Sequence, residues 1–325
     1  MNRPLISIII NNYNYGQFIR RAIDSALNQT YRPIEIIVVD DGSTDNSRAM
    51  IEAYGDAIHP VFKTNGGQDS SFNVGFAHSQ GDIVCFLDAD DVFMPDKLEK
   101  VAACFNEDPR VGWCFHTIQL KDLETSEVLG NTLAFPGTAC DRSRFCDFRS
   151  EIRLGRLPFY PASTSGLCFR RDILDQILPM TETFVKTSAD RYVRAAAIGL
   201  SPGYFLAEEL TIQGIHGHNV STLRKDRPFI PEREMIAAYL VRTHFPSLAQ
   251  YADRLFARGL WAYKQFVNSS EKALLDVEPE YEGLIQEYWQ LCSPISKALI
   301  VGIELYHSRP WRREGAFIAL ASKAS

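Results

Sequence analysis

Three carboxylates lie close together in the segment that reads FLDADD, residues 86–91. Asp88, Asp90 and Asp91 follow a run of apolar residues, so they stand at the end of a predicted buried strand. Carboxylates this close raise one another's pKa unless a cation offsets their charge. Oxygen ligands of this kind suit Mg²⁺ or Mn²⁺. The segment therefore predicts a divalent-metal site, against the alternative of an acidic loop that caps the next helix.

Two further polar segments follow apolar runs. Residues 40–43 read DDGS, and the carboxylate of Asp41 can accept a hydrogen bond from a base or a ribose. Residues 11–15 read NNYNY, in which Tyr13 can stack on a base. Taken alone, each segment is equally consistent with an ordinary turn and with a tyrosine that only packs.

Predicted secondary structure places these three segments at one edge of a sheet. Continuous apolar runs predict strands over residues 5–10, 34–39, 58–63 and 82–87, and helical periodicity predicts helices over 17–29, 44–54 and 70–79. This alternation is typical of a parallel sheet covered by helices. Ligands of such sheets bind at the carboxyl ends of the strands, which is where all three segments lie.

The rest of the chain is predicted to add strands first and helices later. We expect strands over residues 111–119, 165–170 and 204–215, and helices over 98–105, 171–178 and 189–198, the last ended by Gly199. From about residue 231 the pattern is helical. A change of composition over residues 224–231 divides the chain into a domain over 1–225 and a helical region over 226–325.

Composition narrows the class of protein. The 325 residues carry a net charge of -6, which argues against a nucleic-acid-binding surface. Seven cysteines without a CxxC pair predict buried thiols in a reducing compartment rather than disulfides or a zinc site. No signal peptide or transmembrane segment is predicted, so the expected location is cytoplasmic.

The motifs together resemble those of the family 2 inverting glycosyltransferases. Residues 7–14, 36–45 and 86–91 carry the resemblance, residues 65–82 extend it, and it covers about residues 5–220. It implies an α/β GT-A fold, with a mixed central sheet covered by helices, followed here by a helical C-terminal extension. It also implies sugar transfer from a nucleotide-diphosphate sugar to a hydroxyl of a saccharide or glycolipid in surface polysaccharide or glycan biosynthesis. UDP-sugars are favoured as donors, with GDP- and dTDP-sugars as alternatives.

The same resemblance implies roles for individual residues. The nucleotide-sugar would contact Asn12, Tyr13, Asp41, Gln68, Asp88, Asp90, Ser165 and Gly166. Mn²⁺ or Mg²⁺ would be held by Asp90, by Asp91 or by both. His216 would be a third metal ligand or a phosphate contact, although a lone histidine is as often structural.

Inverting transfer also requires a base for the acceptor hydroxyl. The candidate is Asp190, which begins a predicted helix at a position similar to the family's catalytic aspartate. The chain departs from the commoner pattern, because Ala189 precedes it where an acidic residue is frequent. The alternative is a carboxylate that only interacts with the helix dipole. Asp69 and Glu182 are the next candidates for the base.

Two other classes of function compete with a glycosyltransferase. Nucleotidyltransferases also join parallel strands to acidic metal ligands, but residues 11–16 have one glycine and no lysine, which argues against their phosphate-binding loop. A non-catalytic sugar-nucleotide-binding protein is disfavoured because Asp90, Asp91 and Asp190 are all present. The apolar residues 295–306, with the arginines at 309, 312 and 313, either lie on a membrane surface or form a core helix.

Overall fold

The fold is described from a computed structural model. It describes residues 3–132, 142–157, 163–182, 189–217, 219, 231–267 and 280–307. The chain divides into two compact units, one of residues 1–152 with 156–226 and the other of residues 153–155 with 227–325. Each unit is described by itself below.

Strands and helices alternate through the first 110 residues, as the periodicity predicts. In chain order, the elements through residue 215 are β1 Ile6–Asn12, α1 Ile19–Leu27, β2 Ile34–Asp40, α2 Ser47–Glu52, β3 His59–Phe62, α3 Gly67–His78, β4 Ile83–Asp88, β5 Val92–Phe93, α4 Lys97–Glu107, β6 Trp113–Asp122, β7 Val128–Asn131, β8 Arg144–Cys146, α5 Arg149–Arg153, β9 Leu167–Arg170, α6 Arg171–Leu174, α7 Ala189–Leu200 and β10 Gly203–Ile215.

One mixed sheet organises the first unit. Its strands lie in the order β3-β2-β1-β4-β9-β6-β10-β5, with β7 beside β6 and β8 beside β10. The first four strands of the chain are mutually parallel, whereas β9 runs antiparallel to both β4 and β6. The predicted α/β class with a mixed sheet is therefore confirmed.

The register of the central strands brings the polar segments together. Asn12 at the end of β1 pairs with Asp40 at the end of β2, and Asn11 pairs with Asp88 at the end of β4. The isoleucines of β1 have no exposed surface, because helices cover both faces of the sheet. Burial fixes the register, since a slip of one residue would turn every side chain to the opposite face.

Several predicted elements differ in their bounds from the observed ones. Helix α3 begins at Gly67, three residues earlier than predicted, and α7 includes Gly199 and ends at Leu200, just before Pro202. Proline disfavours a helical residue before it and cannot continue the helix. The predicted helix over 171–178 is only α6. Residues 203–215 form one long strand, and register shifts between Leu206 and Thr211 bend it, which the sequence did not predict.

The second unit is helical. Its helices are α8 Pro231–His244, α9 Ala249–Val267, α10 Glu280–Leu291 and α11 Pro294–His307. At its centre the buried carboxylate of Asp253 accepts hydrogen bonds from Arg242 and from the hydroxyl of Tyr288. None of the described helices combines the length and the apolar composition needed to cross a bilayer. Six cysteines are free and buried, and Cys140 lies outside the described residues.

Candidate active site

The loops after β1 and β2 are joined by a buried hydrogen-bond network. The side-chain amide of Asn12 donates to Asp40 Oδ1 at 2.7 Å and to Ser43 Oγ at 3.1 Å. The hydroxyl of Ser43 also donates to Asp40 Oδ1, at 2.6 Å. The buried carboxylate of Asp40 is thus held by its own neighbours. Asn12, a predicted donor contact, therefore shapes the loops around the site, and Tyr13 stands beside it with 46% of its surface exposed.

Asp41 organises the beginning of α3. Its Oδ1 accepts hydrogen bonds from Lys63 Nζ at 2.5 Å and from the Gly66 amide at 2.8 Å, and its Oδ2 accepts one from the Gly67 amide at 2.7 Å. A glycine suits position 67 because its φ is +84°. Asp41 itself is 3% exposed. A carboxylate offers about four acceptor positions, so three such bonds leave one for a ligand.

Asp88 ends β4 and faces the turn formed by residues 164–166. Its backbone amide donates to Ser165 Oγ at 3.0 Å. Burial, followed by the charges of Asp90 and Asp190, raises the pKa of Asp88 to about 7. The predicted donor contact Gln68 reaches the same turn, because its amide donates to Thr164 Oγ1 at 3.2 Å. Gly166 is buried within this turn.

Asp90 lies against residues that follow the far end of β10. Its Oδ2 is 3.1 Å from His216 Nε2 and 3.1 Å from the side-chain nitrogen of Asn219. The imidazole of His216 stacks on Phe18, with ring centroids 4.4 Å apart, and meets the edge of Tyr15 at 5.7 Å. The aromatic contacts fix the orientation of the imidazole. The structure therefore brings His216 to the acidic segment, as predicted.

Asp91, one of the predicted metal ligands, is buried. It is 1% exposed, and its Oδ1 accepts a hydrogen bond from the Gly214 amide at 3.1 Å. Its Oδ2 has no hydrogen-bond partner among the described residues. Burial first, and then the charges of Asp90 and Asp88, raise the pKa of Asp91 well above its usual range. Asp91 immediately precedes β5, and its side chain contacts the backbone of β10.

A buried lysine lies behind the acidic segment. Lys97 has no exposed surface, and its ammonium donates to the Ser165 carbonyl at 2.8 Å and to Thr211 Oγ1 at 3.4 Å. It also lies 3.3 Å from the centroid of the Phe93 ring. Burial lowers the pKa of Lys97, whereas the nearby Asp91 favours its charged form. Lys97 therefore fixes the turn that receives the Asp88 amide.

The candidate base Asp190 lies in the first turn of α7. The carboxylate of Asp190 is 22% exposed, and its Oδ2 lies 3.8 Å from Arg194 Nη1. Its charge contributes to the raised pKa of Asp88, so both carboxylates belong to one electrostatic site. Of the other candidates for the base, Asp69 is completely buried in α3, and Glu182 is exposed.

The side chains present suit a divalent cation in their chemistry. Asp90 and Asp91 supply carboxylate oxygens, His216 supplies an imidazole nitrogen, and the Oδ2 atom of Asp91 is buried without a partner in the described part of the chain. No three acidic, histidine or cysteine side chains of the described residues have the arrangement of a metal site, and Asp90 and His216 contact each other. Separating that pair would free two ligands.

Sequence reasoning did not identify Lys97, Lys63 or Asn219. A signal existed for Lys97, because residues 97, 101 and 105 repeat every four residues along the buried face of α4. A charged residue in such a stripe indicates a buried role. No comparable pattern marks Asn219, whose contact with Asp90 spans 129 residues of the sequence.

Comparison with known proteins identifies first the fold and then the family. Staphylococcus aureus TarS residues 1–349, solved in complex with UDP-GlcNAc, matches with a TM-score of 0.61 and 19% identity over 90% of this chain and 83% of that one. This likeness shows the GT-A fold. The model of glycosyl transferase family 2 matches residues 7–178, more than half of the sequence. The chain therefore belongs to glycosyl transferase family 2, as the motifs predicted.

Proteins similar to this chain in sequence include one named as a glycosyltransferase and one named as a synthase. An uncharacterized glycosyltransferase of Nostoc sp. is 37% identical over 66% of this chain and 66% of its own length. A chondroitin synthase of Pasteurella multocida is 34% identical over 41% of this chain and 14% of its own length. The chain thus spans less than two thirds of the length of these relatives, which agree with it in class.

Proposed function

We propose that this chain is a metal-dependent, inverting glycosyltransferase that moves a sugar from a nucleotide-diphosphate sugar to a hydroxyl of a saccharide or glycolipid. A UDP-sugar is the favoured donor. The observation that carries the proposal is the convergence of Asp88, Asp90 and Asp91 with Asp190 in one electrostatic site of a GT-A fold. The TarS structures in complex with UDP-GlcNAc and with UDP support the choice of donor.

The nucleoside would bind between the loops after β1 and β2. Tyr13 is exposed and offers a ring for stacking, while Asp41 keeps an acceptor position for an N–H of the base. Uracil and thymine present such an N–H at the edge that pairs in a duplex, and so does guanine. Asp41 is held by Lys63 and two amides, so its acceptor atoms are fixed before the donor arrives.

The diphosphate and the sugar would lie over the acidic segment. Asp90, Asp91 and His216 are the residues that would hold Mn²⁺ or Mg²⁺, which when bound neutralises the charge developing on the leaving diphosphate. Ser165 and Gly166 would face the donor sugar. Lys97 and Thr211 both donate hydrogen bonds to the Ser165 carbonyl and so fix this turn, which therefore needs little reorganisation during transfer.

Asp190 would take the proton from the acceptor hydroxyl. The oxygen then attacks the anomeric carbon on the face opposite the leaving nucleotide, which inverts the configuration at that carbon. Arg194 stands one helical turn away and keeps the carboxylate of Asp190 near it.

Release of free nucleotide from a panel of nucleotide-sugars, with and without Mn²⁺, tests donor and metal together. We expect one UDP-sugar to be turned over, and only with the metal. Product analysis by NMR with the accepted donor then tests inversion through the configuration of the new linkage. Turnover of no nucleotide-sugar with any saccharide or glycolipid acceptor would contradict the proposal, and retention of configuration would contradict the role of Asp190.

We also propose that the helical C-terminal region lies against the cytoplasmic face of a membrane, where a lipid-linked acceptor is presented. Helix α11 exposes Ile295 at 83%, Leu305 at 64% and Val301 at 42%, which supports a surface rather than a core role for this stripe. The arginines at positions 309, 312 and 313 lie outside the described residues. Their charge in the sequence suits anionic lipid headgroups.

A further inference from the structure

Two exposed histidines face each other at the edge of the sheet opposite the acidic segment. His59 begins β3 and His78 ends α3. Nε2 of His59 lies 3.3 Å from Nδ1 of His78, with the ring centroids 5.4 Å apart and the rings inclined by 36°. The parallel strand β3 points its other end toward the candidate active site, where Phe62 pairs with Asp40. The pair is therefore separate from the residues discussed above.

The distance between the two nitrogens fits two ligands of one metal ion. The same distance also allows a long hydrogen bond between the two rings, since N–H···O bonds in proteins are most often about 2.9–3.0 Å. Two nitrogens bound to tetrahedral Zn²⁺ at about 2.0–2.1 Å, with an angle of about 109° between the bonds, stand about 3.3–3.4 Å apart. We propose that His59 and His78 form a binding site for Zn²⁺ or a similar transition-metal ion, with the remaining coordination positions open to solvent.

Both ligands are carried by ordered elements. His59 is held in register by the pairing of β3 with β2, and His78 lies in the last turn of the twelve-residue α3. The carboxyl end of a helix carries partial negative charge, which favours a cation there. Little conformational freedom is lost when the ion joins two side chains already at ligand distance. The site therefore suits zinc, nickel or copper, which prefer imidazole, rather than Mg²⁺.

Zinc titration of the metal-free full chain tests the site. The background carries Asp90→Asn and Asp91→Asn, so that the acidic segment does not bind the ion. We expect one Zn²⁺ per chain, measured by competition with a chromophoric chelator. His59→Gln or His78→Gln should weaken binding at least about tenfold, because the second ligand acts at high effective concentration. His244→Gln, at an exposed position of α8, is the matched control and should leave the affinity unchanged.

Two measurements make the outcome decisive. Thermal unfolding without metal should be the same for all variants, since both histidines are exposed, and added Zn²⁺ should raise the melting temperature only where both are present. Electron paramagnetic resonance of bound Cu²⁺ should show coupling to two nitrogens, reduced to one in His78→Gln. Zinc affinity unchanged from the parent chain in both glutamine variants, or no binding by the parent chain, would overturn the proposal and leave a hydrogen-bonded imidazole pair.

Discussion

Asp190→Asn tests the proposed chemistry at the proton-transfer step. Asparagine keeps the size of the side chain and can still face Arg194, whose Nη1 is 3.8 Å from Asp190 Oδ2. The lost charge near the beginning of α7 is expected to reduce stability by only about 0.3–1 kcal/mol. The carboxylate is partly exposed, so its replacement leaves no cavity in the core. The variant should therefore fold, and a change in rate can be assigned to chemistry.

The expected loss of turnover is large. Positioned proton transfer contributes about 10²–10⁴-fold to a rate, which corresponds to about 2.7–5.5 kcal/mol of activation free energy. Donor affinity should change little, because the nucleoside is proposed to bind residues such as Asn12 and Asp41, at the ends of β1 and β2, and not Asp190. One secondary effect is expected. The charge of Asp190 helps to raise the pKa of Asp88, so that pKa should fall toward its ordinary value in the variant.

Initial rates at saturating donor and acceptor give kcat, and calorimetry gives the dissociation constant of the donor. Glu182→Gln is the matched control, because Glu182 is an exposed alternative for the base. We expect a fall in kcat of about 10²–10⁴-fold for Asp190→Asn and near wild-type turnover for Glu182→Gln. If Asp190→Asn keeps near wild-type turnover with a true acceptor, the assignment of the base is wrong.

Four further predictions follow from the site and from the C-terminal region. Asp90→Ala should abolish most turnover, as EDTA should in the parent chain; full transfer activity in metal-free buffer would contradict this. The raised pKa of Asp88 stabilises the metal-free fold below about pH 4, and this contribution is lost as pH rises through about 7. The free energy of unfolding by urea, measured in EDTA, should therefore fall between about pH 4 and pH 7, and Asp88→Asn should reduce this fall; an equal fall in both proteins would contradict the assignment to Asp88. Lys97→Met takes one of two donors from the buried Ser165 carbonyl, so both the melting temperature and turnover should fall; unchanged turnover would show that the lysine is not needed. Co-sedimentation with anionic vesicles should weaken in Arg312→Glu with Arg313→Glu; equal pelleting without vesicles would favour a core helix.

The first half of the fold could be predicted because its strands are buried on both faces. Strands β1 and β4 read as continuous apolar runs, and the helices between the strands show their own period. The later strands gave weaker signals. β5, β7 and β8 contain two to four residues each, too few for any period to be visible. The bends of β10 depend on three different partner strands, which no local pattern encodes.

The sequence predicted which residues form the candidate site better than it predicted the burial and the contacts of each. The structure places Asp88, Asp90, Asp91 and His216 together, as expected from strand ends that share one edge. The burial of Asp91 was not predicted, because its carboxylate accepts a hydrogen bond from the Gly214 amide of β10, a strand distant in sequence. Interactions between residues far apart in sequence decide which carboxylate is enclosed, and a single sequence carries no record of them.

Lys97 lies behind the acidic segment but offsets little of its negative charge. Burial lowers the pKa of Lys97, and Asp91 is the smallest of the influences that oppose this shift. This compensation is incomplete, since burial and the neighbouring carboxylates still raise the pKa of Asp91. Asp88, with a pKa of about 7, also remains under-compensated. The negative charge that remains in the acidic segment is what would attract a divalent ion.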